Sequence, residues 1–278
     1  MHLGSLYTAL ASFLDARSKN GKWLLRIDDL DTPRNVKGAV DSILKTLEAF
    51  GLQWDGSVYY QSRQLAIYND YLDQLEKSHL VYPCSCSRKT LESQASATDI
   101  YPGHCRNKPM PTTEPHALRI KTDNRSISFR DELQGLITHQ MAEQDGDFIL
   151  KRKDHIIAYQ FAVVIDDTLQ AVNHIVRGFD LLHSTPKQIY LQQQFGLTTP
   201  SYMHVPVIID PQGYKLSKQT QAQAVELQTP HKVIFDLLNL LKQAPPSELQ
   251  DAPVAELLDW ARAHWNPSLL EKYQTISH

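Results

Sequence analysis

The chain has 278 residues, of which 42% are hydrophobic and 21% are charged, and its formal net charge is −3. This composition is typical of a globular protein of one or two domains, and no run of about 18 apolar residues predicts a membrane span. Three cysteines, an odd count, argue against a disulfide framework; with no signal peptide expected, we predict a cytoplasmic protein. The mild acidity gives no global nucleic-acid signal, although a local basic face would be enough to bind RNA.

The first predicted elements are a helix, a strand and two more helices. Apolar residues at helical spacing predict an amphipathic helix over residues 4–19, which Asn20-Gly21 ends. Residues 23–27 predict a buried strand that ends at Asp28-Asp29. Helix, strand and acidic strand end form one unit of a parallel sheet. The two further helices are predicted at residues 38–50 and 64–78.

The stretch 83–131 differs from its surroundings, because it holds all three cysteines, several prolines and short alternating segments. We predict that it is an inserted subdomain. Three buried strands are predicted after it: 161–165 ending at Asp166-Asp167, 174–176 ending at Arg177-Gly178, and 205–209. Between the last two, Thr185 as N-cap, Pro186 in the first turn and Gly196 as a stop predict a helix over 186–195.

The remaining chain is short, since only 60 residues follow Lys218. Apolar spacing predicts two helices there, one around 233–241 and one around 254–261. This region is smaller than a typical domain. The predicted division is a first half of a nucleotide-binding catalytic domain (1–82), an insertion (83–131), a second half (132–220) and a helical appendage (221–278).

Two fragments indicate nucleotide chemistry. His2-x-Gly4-Ser5 opens a helix, whose N–H groups and dipole favour phosphate, and Gly4 lets a nucleotide approach the backbone. Lys215 and Lys218 lie on a loop after a strand, where two ammonium groups would neutralise a departing pyrophosphate. Alone, the first fragment is usually accidental and the second is usually a solvated loop. Their order, with parallel strands between them, favours a nucleotide site.

The two fragments together resemble the signatures of class I aminoacyl-tRNA synthetases. Residues 24–34 (LLRIDDLDTPR), 51–55 (GLQWD) and 60–62 (YQS) are similar to segments of the glutamyl-tRNA synthetase group. Ser5, a Cys-x-Cys…Tyr-x-x-x-Cys cluster and the short C-terminal region resemble its stand-alone branch, the glutamyl-Q tRNA(Asp) synthetases. The resemblance covers nearly all of residues 1–220.

This resemblance implies an α/β fold with a Rossmann-like parallel sheet, a zinc-bearing insertion and a short helical C-terminal tail. It implies ATP-dependent activation of glutamate, with Mg²⁺ and without tRNA, and transfer to the queuosine base at the wobble position of tRNA(Asp). The acceptor would be the anticodon loop, which needs no separate anticodon-binding domain, and we expect a monomer. The family also has a strand and an Arg/Ser loop before its first signature, which would precede His2.

The resemblance further assigns individual residues. The ATP contacts fall to His2, Gly4, Ser5, Lys215 and Lys218, with Lys218 holding the phosphates. Asp28, where the family usually has Glu, would face the amino group of glutamate, Tyr159 would hydrogen-bond the substrate, and Arg177 would pair with its side-chain carboxylate. The alternatives are structural: Tyr159 as a core-edge aromatic, Arg177 as an ion-pair partner of Asp180 or Asp166, and Asp28 and Asp31 as helix N-caps.

The cysteines form a candidate zinc site. Cys84, Cys86 and Cys105 lie close in sequence, and thiolates favour tetrahedral zinc. From chemistry alone His104 is the first choice for the fourth ligand, whereas the resemblance selects Tyr101. The zinc would be structural and would close a subdomain without a core of its own. The alternative is three buried free thiols.

Two other functions remain open at this point. The chain could be a truncated glutamyl-tRNA synthetase that charges the 3′ end of tRNA. It could also be a non-catalytic module that binds tRNA or glutamate.

Overall fold

The structure is a computed structural model that describes residues 1–87, 90–91, 100–108, 115–214, 225 and 227–277. In these ranges the helices are α1 (Leu3–Ser18), α2 (Ala39–Ala49), α3 (Leu65–Lys77), α4 (Met141–Gln144), α5 (Tyr159–Leu169), α6 (Thr185–Phe195), α7 (Pro230–Leu240) and α8 (Val254–His264). The strands are β1 (Arg26–Ile27), β2 (Tyr59–Tyr60), β3 (Val81–Cys84), β4 (Ala117–Ile120), β5 (Ser126–Asp131), β6 (Gly135–Gln140), β7 (Ile149–Lys151), β8 (His174–Gly178), β9 (Ser201–Val205), β10 (Val207–Ile209) and β11 (Thr275–Ser277). None of these helices has the length and hydrophobicity that crossing a membrane requires.

The first helix, α1, is an organising element of one hydrophobic core. Leu6, Leu10 and Leu14 recur every four residues and are completely buried, so they form one face of the helix. This face contributes to the same core as the C-terminal helices α7 and α8. The chain then leaves the helix at Asn20, which has a positive φ of 54°. The predicted helix over 4–19 is therefore confirmed, and its N-terminus carries His2.

The sheet that carries the candidate site is mixed, with the strand order β6-β5-β9-β8. Strands β5, β9 and β8 are parallel, whereas β6 returns antiparallel to β5. The predicted parallel sheet is thus confirmed only in this coarser, mixed form. Three polar residues, Asp131, His204 and Arg177, lie at or next to the carboxyl ends of the parallel strands. The carboxyl ends of parallel strands are where open α/β sheets bind their ligands.

A second sheet presents the cysteine cluster. β3 pairs antiparallel with β4, and β4 pairs with β7. Cys84 is the last residue of β3 and lies opposite Ala117, the first residue of β4. The remaining strands form two short parallel pairs, β1 with β2 and β10 with β11. The four domain ranges given above stay predictions.

The predicted strand over 161–165 is wrong, because these residues lie inside helix α5. All five side chains are buried, with exposed fractions between 0% and 2%. A short run of apolar residues has the same appearance in a buried strand and in a buried helix, so its periodicity does not distinguish them. Asp166 and Asp167 consequently project from a helix and do not end a strand.

Three smaller predictions also need correction. The strand expected over 23–27 is limited to β1, and Leu24 is 38% exposed. The strand expected over 205–209 is two strands in different sheets, separated at Pro206, which has no N–H to donate to a ladder. Thr185 is the first residue of α6 and not its N-cap, although Gly196 ends that helix as expected, with a φ of 65°.

The buried carboxylate of Asp166 predicts a large stability effect. It is fully buried and accepts hydrogen bonds from Tyr59 Oη (3.0 Å), Gln61 Nε2 (2.7 Å) and Tyr68 Oη (2.7 Å). Asp166→Ala leaves these donors without an acceptor, so we expect the free energy of unfolding to fall by about 3 kcal/mol in urea denaturation at neutral pH. Asp70→Ala, an exposed site on α3, is the matched control and should change it by less than about 0.5 kcal/mol. Equal effects of the two substitutions would contradict this role of Asp166.

Candidate active site

The His-x-Gly-Ser fragment forms the N-terminus of α1. His2 is the N-cap, and its Nδ1 accepts the backbone N–H of Ser5 at 3.2 Å. Because Nδ1 accepts, Nε2 of the neutral ring carries the proton and donates to Ser5 Oγ, 2.8 Å away. Gly4 is the second helical residue, and the first turn contains no acidic side chain. This helix end therefore keeps its positive dipole, which suits phosphate.

The two lysines of the second signature, Lys215 and Lys218, lie outside the described residues. The turn that leads to them is described. Asp210 Oδ1 accepts the N–H groups of Gln212 (3.0 Å) and Tyr214 (2.8 Å), and Gly213 has a φ of 86°, which favours glycine. This turn follows directly after β10.

Asp28 lies in a network that surrounds Arg26. Arg26 Nε donates to Asp28 Oδ1 at 2.8 Å, and its Nη1 donates to Asp167 Oδ1 at 2.6 Å. Asp166 Oδ2 lies 3.9 Å from Arg26 Nε. The Asp28 side chain is 41% exposed, so it remains open to a ligand while Arg26 fixes its position. Asp31 is the N-cap residue of the short 3-10 helix Thr32–Arg34, as one alternative expects, but its side chain makes no cap bond and instead pairs with Arg152 at 3.1 Å.

Tyr159 is one of the three residues predicted to bind the substrate glutamate. It is the first residue of α5 and is 39% exposed. Burial raises the pKa of its phenol; the charge of Arg177 opposes this shift, and that of Asp28 reinforces it. The charges of Arg26 and Asp167 act on the same phenol. The charges of Asp28 and Arg177, two residues that are far apart in sequence, therefore both act on Tyr159.

Arg177 is held from inside the protein. It is 8% exposed; its Nε donates to His204 Nε2 at 3.0 Å and its Nη2 donates to Thr185 Oγ1 at 2.7 Å. Asp166, one of the ion-pair partners considered for it, accepts from other donors. Both described hydrogen-bond partners of Arg177 are neutral, so its positive charge is not cancelled by direct contact.

Sequence reasoning missed four residues of this neighbourhood. The sequence patterns place Arg26 within a buried strand and Asp167 at the end of another. They do not indicate His204 or Thr185 as site residues. The available signal was polar residues in apolar surroundings: an arginine in a hydrophobic strand and a histidine next to the end of β9 both need buried partners.

The three cysteines form a cluster that could hold a metal ion. The sulfurs of Cys84, Cys86 and Cys105 all lie within 4.8 Å of one another, with Cys86 and Cys105 at 3.5 Å. Tyr101 Oη lies 3.4 Å from Cys84 Sγ and 3.7 Å from Cys86 Sγ. A tetrahedron with zinc–sulfur bonds of 2.3 Å has edges of about 3.8 Å, so the four groups fit one ion. His104 instead meets the Tyr101 ring edge-on, with the ring centroids 6.4 Å apart.

The protonation of the thiols follows from the same contacts. Burial raises the pKa of the Cys86 thiol. Burial acts in the same direction on Cys105, but hydrogen bonds from Tyr101 and from the N–H of Ser85 outweigh it and lower the Cys105 pKa to about 7. Thiolates are the form that binds metal, so this cluster is chemically suited to a cation.

A cavity of about 570 Å³ adjoins the cluster. Cys84 and Cys86 line one side, and the cationic side chains in its wall are Arg34, Arg119, Arg152 and Lys153. Ala158 also lines the cavity. The cavity therefore lies next to Tyr159, one of the residues predicted to bind the substrate glutamate. Cations around a concave surface suit a phosphate-bearing ligand.

Comparison with known families agrees with this geometry. The family model for the catalytic domain of class I tRNA synthetases (E and Q) matches residues 1–233. A glutamate tRNA ligase from Elizabethkingia meningosepticum, solved in complex with its amino acid, is 23% identical with a TM-score of 0.79. The glutamate-tRNA synthetase of Elizabethkingia anophelis is 22% identical with a TM-score of 0.81. The two alignments cover 98% and 100% of this chain, and 63% and 65% of the respective solved chains. Both solved chains share its fold. The chain belongs to the class I tRNA synthetases, and residues 1–233 match their catalytic domain.

Curated relatives narrow the family. The glutamyl-Q tRNA(Asp) synthetase of Ectopseudomonas mendocina is 44% identical over 100% of this chain and 93% of its own length. That of Neisseria meningitidis serogroup C (strain 053442) is 49% identical over 98% of this chain and 94% of its own length. The chain belongs to the glutamyl-Q tRNA(Asp) synthetases.

The buried His204 predicts that the protein loses stability in mild acid. Burial lowers its pKa below the usual value of about 6.5, with a further lowering by Arg177 and an opposing effect of Asp131 and Asp180. As pH falls, the unfolded chain therefore binds this proton first, and the free energy of unfolding decreases below about pH 6.5. The pKa of Asp131 is also lowered, so its contribution disappears only at more acidic pH, below about 4.

Urea denaturation at pH 7.5 and pH 5.5 measures this effect. We expect the parent protein to lose about 1 kcal/mol more between the two pH values than His204→Gln does. An equal loss in both proteins would show that His204 is protonated equally in the folded and unfolded states.

Proposed function

We propose that this chain activates glutamate with ATP in the absence of tRNA and then transfers it to the queuosine base at the wobble position of tRNA(Asp). The observation that supports the proposal is the polar cluster in which Arg26 joins Asp28 (2.8 Å) to Asp167 (2.6 Å), while the charges of Asp28 and Arg177 both act on the phenol of Tyr159. The names of relatives that are 43–49% identical over nearly their whole length support it.

Two arginines, Arg26 and Arg177, belong to this candidate site, and only Arg177 is suited to the substrate carboxylate. Arg26 donates to two carboxylates, Asp28 and Asp167, so another anion near it would be repelled. Arg177 has neutral partners and keeps its charge, and a guanidinium can grip a carboxylate with two parallel hydrogen bonds. The glutamate side chain therefore points toward Arg177, and Tyr159 Oη lies beside it.

The acidic part of the candidate site, away from Arg177, receives the ammonium group of the substrate glutamate. Asp28 is the exposed carboxylate there, and Asp167 is its neighbour through Arg26. The Asp28 side chain is one methylene shorter than the Glu side chain that the family usually has at this position. A bridging water would restore its contact with the ammonium group of the substrate. With both ends held, the α-carboxylate is presented to the α-phosphate of ATP for in-line attack.

ATP lies with its phosphates at the N-terminus of α1, where His2, Gly4 and Ser5 are placed. Mg²⁺, bound with ATP, neutralises charge on the phosphates. Lys215 and Lys218, which lie outside the described residues, stabilise the departing pyrophosphate in this proposal.

The RNA approaches over the cysteine cluster. One structural zinc ion is held by Cys84, Cys86, Tyr101 and Cys105 and fixes the wall of the cationic cavity. The anticodon-loop phosphates lie along that cavity, which leads to Tyr159 through Ala158. The enzyme works as a monomer in the cytoplasm.

The activation step is tested by ATP–pyrophosphate exchange with the purified full-length protein and glutamate, without tRNA. We expect exchange, and we expect Arg177→Lys to raise the KM for glutamate at least tenfold, because lysine keeps the charge but loses the two-point grip. The KM for ATP should stay within about twofold. No exchange by the parent protein would sink the proposed activation step.

The acceptor is tested with four forms of tRNA(Asp) and labelled glutamate. Queuosine-containing tRNA(Asp) should be labelled, and it should still be labelled after removal of its 3′-terminal adenosine. Label on tRNA(Asp) with guanine at the wobble position would instead indicate charging of the 3′ end. Periodate treatment of the shortened queuosine tRNA should abolish labelling, because it cleaves the cis-diol of the base.

The zinc site is tested by metal analysis. The purified protein should carry one zinc per chain, and Cys105→Ser should lose it. Tyr101→Phe removes the hydroxyl that lies among the sulfurs and should weaken retention against a chelator by roughly tenfold or more. His104→Ala is the matched control and should retain zinc as the parent does. The opposite order of the last two variants would make His104 the fourth ligand.

A further inference from the structure

A buried chain of side chains leads away from Arg177 into the protein. Asp131 ends β5, and His204 and Arg177 lie at paired positions on β9 and β8. Asp131 Oδ2 lies 2.6 Å from His204 Nδ1, and His204 Nε2 lies 3.0 Å from Arg177 Nε. Asp131 is 1% exposed and His204 is 0% exposed, so no bulk water competes for these bonds.

The proton positions in this chain follow from the chemistry of its members. An ionised carboxylate only accepts, and burial fails to keep Asp131 protonated because the contact with His204 lowers its pKa. His204 Nδ1 therefore carries the proton that is donated to Asp131. The guanidinium of Arg177 only donates, so His204 Nε2 must present its lone pair. The ring is consequently neutral and held as one tautomer, as the lowered pKa of His204 also requires.

These bonds fix one edge of the guanidinium. Arg177 Nε donates a hydrogen bond to His204, and its Nη2 donates one to Oγ1 of Thr185. Thr185 is the first residue of α6. Nε–H and one N–H of Nη2 lie along the same edge of the planar group. Among the described residues, the hydrogen bonds of Arg177 leave the end formed by Nη1 and the outer N–H of Nη2 for a ligand.

We propose that His204, held by Asp131, is a positioning residue that turns the Nη1/Nη2 end of Arg177 toward the substrate carboxylate. The inference rests on the proposed role of Arg177. The fixed end offers two donors side by side, which match two carboxylate oxygens. The amide of glutamine would put one of its own N–H groups against a donor, so the same anchoring disfavours glutamine.

The same strand provides a matched control pair. His174, at the first position of β8, lies with its Nε2 2.9 Å from Asp15 Oδ2. It is a histidine–carboxylate pair in the same sheet, at the amino end of the strand and without a described contact to Arg177. If His204 only filled the core, replacing either histidine would have the same consequences for substrate affinity.

The test compares His204→Leu, His204→Gln and His174→Gln in glutamate-dependent pyrophosphate exchange. We expect His204→Leu to raise the KM for glutamate roughly tenfold or more, with the KM for ATP within about twofold, because the guanidinium loses a buried hydrogen bond that orients it. His204→Gln carries an amide oxygen that can accept from Arg177 Nε, so it should restore part of the affinity. His174→Gln should leave both KM values unchanged. The preference in kcat/KM for glutamate over glutamine should fall in His204→Leu.

Each outcome decides the inference. Parallel changes in both KM values, an unchanged KM for glutamate, or the same shift in His174→Gln would overturn it. If His204→Leu does not fold, as judged by circular dichroism, His204→Gln and Asp131→Asn give the same comparison, together with calorimetric titration of glutamate onto the protein. If Arg177→Lys also leaves the KM for glutamate unchanged, the assignment of Arg177 fails; if Arg177→Lys raises it and the His204 variants do not, the positioning role alone fails.

Discussion

The ion pair between Arg26 and Asp167 joins the two halves of the site. Arg26 lies on β1 and Asp167 on α5, 141 residues later, and their closest atoms are 2.6 Å apart. The same guanidinium holds Asp28 and lies within 3.9 Å of the buried Asp166. A charged group with little exposure is stable only when paired, so β1 and α5 cannot separate without leaving charges uncompensated. The place of Asp28 and of the first turn of α5, and thus of Tyr159, follows from this contact.

The two arginines of the candidate site, Arg26 and Arg177, have different properties because their hydrogen-bond partners differ. Arg26 is neutralised by carboxylates, which raise its pKa further above its usual value despite burial. Arg177 is held by the neutral imidazole of His204 and the hydroxyl of Thr185. The negative charge of Asp131 contacts His204 and not Arg177 itself. The candidate site therefore has an acidic part around Asp28 and Asp167 and a cationic part at Arg177. That polarity matches an amino acid with an ammonium group at one end and a second carboxylate at the other.

The sequence predicted the helices better than the contacts among polar residues. Helices with one apolar face, such as α1 and α3, have a period that sequence alone reveals. Helix α5 is buried over most of its first turns, so that period was lost and a strand was predicted. The residues around Arg177 could not be found in this way. Asp131 and His204 are separated by 73 residues, and their contact depends on the parallel pairing of β5 with β9, which no local pattern specifies.

The resemblance to a known family selects residues that local patterns do not. It assigns Asp28, Tyr159 and Arg177 to the substrate, and the charges of Asp28 and Arg177 both act on the phenol of Tyr159. It also selected Tyr101 over His104, where chemistry alone favoured imidazole, and the hydroxyl of Tyr101 lies among the sulfurs. Motif spacing carries three-dimensional information from solved relatives, whereas His204 and Thr185 belong to no motif that was recognised. A residue that acts through another leaves a weaker mark on a sequence than one that touches the ligand.

The segment before α5 connects the amino-acid side of the site to the cysteine side. Arg152, Lys153 and Ala158 line the cationic cavity, and Tyr159 follows at once. Lys153 Nζ donates to the carbonyl of Ser85, the residue between Cys84, which ends β3, and Cys86. A nucleotide bound in the cavity and glutamate bound beside Tyr159 would therefore lie on two sides of the same short stretch of chain. Because that stretch contacts the cysteine cluster through Lys153 and leads directly into α5, the cluster and the first residue of α5 are held by the same short segment of chain.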